Sequence, residues 1–278
     1  MSSPAQNRTT TPARPAPGRL GAPGRLGALG RLGALGRAEL TLLVRNRTAL
    51  FGALLVPLLT VGAVRSSLES VDLGKAGTSI AEVAVSGAVG MALLIGVYSN
   101  LVAAFVARRE TLVLKRLRTG EPTDPEILTG IALPAAVLAL VQSAVLTAGG
   151  TAALGLPAPA DPELLLAGVL LGLVLLTGLA AATSAVTRTP ESAQLTALPL
   201  VLVSSLGSGL FVPLRMLPDG IAAACELLPV TGMMTLVRAG WTGGADPGDL
   251  LGATATTVAW IALSVFAVQR WFRWEPRR

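Results

Sequence analysis

Few side chains in this 278-residue chain could do chemistry, and their spacing narrows the choice further. Histidine is absent and Cys225 is the single cysteine, which removes imidazole metal sites, His-based triads and an intrachain disulfide. Cys225 stands beside Glu226 in an apolar stretch and reads as a small packed hydrophobe. A Walker A loop must bring a lysine and a hydroxyl to nucleotide phosphates from a glycine cradle. The two lysines, Lys75 before Ala76 and Lys115 within Leu114-Lys115-Arg116, do not complete Gly-x4-Gly-Lys-Ser/Thr, so there is no P-loop. Asp124 and Glu126 flank Pro125 and read as helix-start residues rather than as an acid/base pair. No catalytic or metal-ligating residue is assigned; the expectation is a chain that is not an enzyme and binds no cofactor itself.

The composition says where such a chain must live. Hydrophobic residues make up 52% and charged residues 14%, against about 25% charged in an ordinary soluble domain. Mean hydropathy is +0.66. A soluble domain could not cover itself with so little polar surface. Charge-free runs suggest six transmembrane helices at about 49–68, 82–107, 127–149, 163–187, 192–213 and 249–269. Strands of a lipid barrel would alternate polar and apolar residues, and these runs do not. The expected fold is therefore all-α and polytopic, a transmembrane domain over 32–278 behind a disordered basic tail over 1–31. The tail holds a six-residue repeat that places Arg19, Arg25 and Arg31 on three sides of any helix. Over 32–47, Arg37, Thr41 and Arg45 align at i, i+4, i+8, as in a helix lying on the membrane surface.

The stretch 220–237 holds Glu226 and Pro229 and could be a seventh span or an external, partly re-entrant pair of short helices. Positive charge decides between them, because it concentrates on the cytoplasmic side. Six spans with both termini cytoplasmic place 18 Lys and Arg inside and 4 outside; seven place 15 and 7. Six spans are preferred, in an inner or plasma membrane. The net charge of +6 then records orientation in the bilayer and calls for no nucleic acid.

Ion-driven transporters carry ionisable residues at mid-membrane, and these spans leave almost none there. If the protein moves a solute uphill, a partner must supply the energy. Polar groups available to a pathway are Tyr98, Ser99, Asn100, Gln142, Ser143, Gln194, Ser204, Ser205 and Ser208; the alternative is that they satisfy one another between helices. Gly168-x3-Gly172 permits close helix approach and is a candidate dimer contact, though common in apolar spans.

One loop mixes cations with leucines: Arg108-Arg109-Glu110-Thr111-Leu112-Val113-Leu114-Lys115-Arg116-Leu117-Arg118, closed by Thr119-Gly120-Glu121-Pro122. It resembles the loop of ABC transporter permeases of the type-2 export class, whose members look like Arg-Glu-x-Gly-Thr-Leu-x-Arg-Leu followed by Thr/Ser-Pro. Arg109-Glu110 and residues 114–118 match; the glycine is missing, and Thr119-Gly120-Glu121-Pro122 replaces the compact Thr-Pro. A second feature agrees: Pro213, Pro218, Pro229, Thr231 and Arg238 follow one another as in that family's external re-entrant region. The resemblance covers roughly residues 35–275. It implies that 108–118 is a coupling helix seated in a separate ATP-binding subunit, which would hold the ATP and Mg. It also implies a second permease subunit, identical or not, and a pathway between the two. An apolar or amphiphilic cargo such as a drug, antibiotic or lipid follows from the scarcity of charge. The alternatives are a polytopic enzyme acting on a lipid, with Asp124 and Glu126 as its carboxylates, and a passive channel or scramblase.

Overall fold

A computed structural model describes residues 80–120, 122–210 and 217–275, with isolated helical positions before them at Gly30, Arg37, Thr41, Leu55, Leu59 and Gly62. The basic tail and the expected first span otherwise lie outside the described residues, as does Pro213. Of the surface helix expected over 32–47, Arg37 and Thr41 are helical and exposed, and Thr41 Oγ1 donates to the Arg37 carbonyl at 2.6 Å.

Every regular element among the described residues is a helix. α1 (Ile80–Leu93) passes through a π-helical turn (Leu94–Ser99) into α2 (Asn100–Glu110), making one apolar rod over Glu82–Glu110. A short α3 (Val113–Arg118) follows, then α4 (Asp124–Leu154), α5 (Pro162–Val186) and α6 (Ala193–Gly207). α7 (Asp219–Glu226) and α8 (Pro229–Thr242) meet at 91°, and α9 (Pro247–Trp271) is the last helix. Among the described residues, four helices are long and apolar enough to cross a membrane, or five if the bent pair counts as one. The expected spans 82–107, 127–149, 163–187 and 249–269 fall on these four. The expected span 192–213 is helical as far as Gly207, at 15 residues a shorter apolar helix than the others.

Local chemistry sets the ends. Pro162, Pro229 and Pro247 each open a helix, where a missing N–H costs nothing. α4 starts on a Thr123–Glu126 capping box, the Glu126 carboxylate accepting from the Thr123 N–H at 2.7 Å. Asp124 and Glu126 are thus helix-start residues, and Asp124 also accepts from Arg118 Nε at 3.2 Å.

α5 is the centre of the core, with α1, α2, α8 and α9 packed around it. It runs antiparallel to α8: Leu165 faces Gly240, Gly168 faces Leu236 and Val237, and Gly172 faces Met233. A Cβ on Gly240 would meet the Leu165 backbone, so this crossing admits glycine alone. Gly168 and Gly172 therefore serve a contact inside the chain. From the start of α5 to Gly172 is roughly 15 Å at 1.5 Å per residue, so these contacts run along somewhat less than half of the 25-residue α5. α6 and α9 leave Leu195, Leu202, Leu206, Leu251, Leu263 and Phe266 exposed, a surface suited to lipid.

Gly240→Ala is expected to cost about 1–3 kcal/mol through overpacking, lowering the melting temperature in detergent. Gly252→Ala, in α9 with open space around it, should leave the melting temperature unchanged or raise it slightly.

Candidate functional site

The loop between α2 and α4 is built around one buried cation. Arg109 ends α2 with 1% of its surface exposed. Its Nη1 donates to the Ser184 carbonyl at 2.8 Å; its Nη2 donates to Thr187 at 2.7 Å and to Arg188 at 3.4 Å. Those carbonyls close α5, where the last turn lacks intrahelical donors and carries the negative end of the helix dipole. The Glu110 carboxylate lies 3.5 Å from Arg109 Nε. Of the cations in the loop, Arg109 faces inward as a helix cap, while Arg108 is half-buried and Lys115, Arg116 and Arg118 are exposed.

The chain then reverses at Leu112, the one non-glycine residue with positive φ among those described, at 60°. Position 112 is where the type-2 permease pattern carries glycine. Glycine reaches this left-handed conformation without a Cβ clash, so the missing glycine in the motif appears here as a strained, exposed leucine. α3 follows, with Leu114 fully buried and Leu117 half-buried. Two of its cations are engaged by residues after the last helix. Lys115 Nζ pairs with Glu275 at 2.9 Å, and the Arg118 guanidinium sits 4.8 Å over the Trp274 ring. Nothing local in the sequence links positions 115 and 275, and sequence reasoning missed this contact. Arg116 lies about 200° around the helix from Leu114, on the outer face.

These contacts put the loop, the end of α5 and the end of α9 on one face, the loop face. On the opposite face the connection from α4 to α5 meets α8, with Asp161 N–H donating to Gly240 at 2.9 Å. The residues expected in an external re-entrant region are spread from the end of α6 through α8. Pro218 precedes α7, and Pro229 opens α8 in a buried position. Thr231 Oγ1 donates to the Cys225 carbonyl at 2.6 Å, across the break between the two helices. Arg238 Nη1 donates to Gly209 at 2.6 Å and Ser208 at 3.3 Å, just beyond α6. Trp260 of α9 adds a donor that the sequence did not suggest, its Nε1 reaching the Leu227 carbonyl at 2.9 Å.

The polar candidates for a pathway are dispersed. The Tyr98 and Thr183 hydroxyls share a hydrogen bond of 3.0 Å. Ser99 Oγ donates to Leu94 in the π-helical turn at 3.4 Å, and Asn100 Nδ2 to Gly96 at 3.2 Å. Gln142 lies against Gly96, and Ser205 Oγ meets Met91 Sδ at 3.5 Å. Ser143, Ser204 and Ser208 are buried; Asn100 and Gln194 are exposed.

The family model described as ABC-2 type transporter matches residues 31–241. Comparison with curated proteins gave no match.

Replacing Arg109 with Ala should destabilise the protein by about 1.5–3 kcal/mol, the range for hydrogen bonds to a charged group, measured as a fall in melting temperature. Arg188→Ala, which keeps the backbone carbonyls, should leave it within about 0.5 kcal/mol. Leu112→Gly should raise stability by about 0.5–1 kcal/mol, the relief of a left-handed Cβ less the extra freedom of the unfolded chain.

Proposed function

Because the chain belongs to the ABC-2 type transporter family, we propose that it is the membrane-spanning permease subunit of an ATP-driven exporter and is driven by a separate ATPase. The family is a membrane transport component that normally works with an ABC ATPase. The observation that carries the coupling reading is the construction of the 108–118 loop. Its inner cation, Arg109, ties the end of α2 to the end of α5, while Arg116 faces outward. A partner that pushes on α3 would thus push on a rigid joint between two spans.

The loop face is the cytoplasmic face in this reading, in an inner or plasma membrane with both termini inside. The course of the chain supports a re-entrant role for α7 and α8. α9 starts beside the end of α8 on the opposite face and finishes beside α2, where Phe272 packs edge-on against Phe105 with ring centroids 6.2 Å apart. Were α7 and α8 one crossing, α9 would have to run the other way. With the first span at 49–68 the count is then six.

The cargo is apolar or amphiphilic. Within the four long spans, Glu82, Asp124, Glu126, Glu163, Asp249, Arg108, Arg109, Glu110 and Arg270 lie near helix ends, so those spans offer no charged relay. A second permease subunit completes the pathway, and ATP and Mg reside on the ATPase. Transport of a multiply charged hydrophilic solute, with failure on lipophilic ones, would contradict this cargo class. The lipid-enzyme alternative draws no support from Asp124 and Glu126, which are occupied by Arg118 and by the Thr123 N–H.

The decisive experiment pairs the chain with the ATPase that co-purifies in mild detergent and measures export from vesicles. Arg116→Glu should cut export at least tenfold and weaken retention of the ATPase, while Arg116→Lys keeps both. Export by the chain alone against a gradient, or full export by Arg116→Glu in the same orientation, would sink the reading.

A further inference from the structure

The residues that follow α9 do more than end a helix. Phe105 of α2, Phe272 and Trp274 form an edge-to-face ladder, with ring centroids 6.2 Å and 5.0 Å apart, and the Arg118 guanidinium covers the last ring at 4.8 Å. Glu275 completes the set with its 2.9 Å contact to Lys115. Phe272 and Trp274 are half-buried by these contacts, whereas Trp271 and Arg273, which alternate with them, are exposed. A set of aromatics that merely marked the membrane interface would need no such alternation and no cation stacked on its outermost ring.

The placement around α3 matters. Leu114 and Leu117 face the core. At 100° per residue, Lys115 and Arg118 lie on one side of the core-facing leucines and Arg116 on the other. The segment 272–275 grips the side with Lys115 and Arg118 and leaves Arg116 and the exposed Leu112 uncovered. It therefore does not cover Arg116. What it does constrain is rotation of a six-residue helix that hangs from a strained left-handed residue.

We propose that Phe272, Trp274 and Glu275 form a strap that fixes the rotation of α3 and so presents Arg116 to the ATPase; they are positioning residues for coupling. This deepens the proposed function and rests on it for the identity of the partner.

The test uses the full chain with Cys225→Ser and two introduced cysteines, joined by a short bifunctional maleimide and read by mass spectrometry of the linked peptides. Lys115→Cys with Glu275→Cys should link in most molecules. Arg116→Cys with Glu275→Cys should link at least fivefold less. Adding Trp274→Ala to the first pair should cut linking severalfold, and Trp274→Phe should restore it. The linked first pair should still retain the co-purifying ATPase. In the otherwise native chain, Trp274→Ala should lower export per ATP hydrolysed while Trp274→Phe restores it, a ratio that simple loss of folded protein does not change. Equal linking of the two pairs, or an unchanged ratio in Trp274→Ala, would overturn the proposal. So would loss of the ATPase on linking, since the segment would then be an obstacle. Absence of any ATPase from every variant would overturn the transport reading and the strap's coupling role with it, while the linking result would still report the contact.

Discussion

A charge removed from water must find fixed partners, and Arg109 finds them in the last carbonyls of α5. Left without them, a buried guanidinium would cost several kcal/mol. The planar fork of arginine reaches carbonyls at Ser184, Thr187 and Arg188 together, a task the point charge of lysine does less well. The end of α2 and the end of α5 therefore hold one another in place, although 75 residues separate Arg109 from Ser184. Loop 108–118 inherits a rigid base from this contact. Its outward cations can be oriented because its inward one is not free.

The same device recurs where the backbone breaks between α7 and α8. A buried carbonyl left unsatisfied is costly, and a 91° bend interrupts the regular helical ladder. Thr231 supplies a donor for Cys225 and Trp260 one for Leu227, while Arg238 reaches Ser208 and Gly209 beyond α6. Proline sets the bend by opening α8 at Pro229; side chains from α8 and α9 add hydrogen bonds across it. Glycine at 168, 172 and 240 then lets α8 lie closely along α5.

Much of this was legible in the sequence, because the bilayer writes its thickness into charge-free runs. The four long spans and the bent pair follow from run lengths, prolines and the distribution of arginine. The helix-start role of Asp124 and Glu126 also follows, since capping is local chemistry. Contacts that join distant positions did not follow. Arg109 reads in sequence as one more cation of an exposed cluster; nothing near it announces that Ser184 and Thr187 will offer carbonyls. Phe272, Trp274 and Glu275 read as the charged and aromatic flank of a span. Gly168-x3-Gly172 marks a close approach without naming the neighbour, which proves to be α8 of the same chain. Leu112 shows the converse. The departure from the glycine pattern was visible, and only the backbone reveals that the conformation was kept and the strain accepted.

These pieces constrain how a push on α3 would travel. Between α3 and the core the chain has two irregular points, the left-handed Leu112 and the π-helical turn Leu94–Ser99. A force on a loosely hung α3 would be absorbed at Leu112, the nearer of the two, and would go no further. Leu114 in the core, the Arg118–Asp124 pair and the residues after α9 remove that freedom from three sides. Displacement must then pass into α2 as a unit. Arg109 shares it with α5 at one end of the rod, and the π-helical turn near the middle of the rod, with Tyr98 bonded to Thr183 of α5, receives it next. Under the proposed coupling, how little α3 can turn beneath its outer cations would matter alongside how tightly those cations bind a partner.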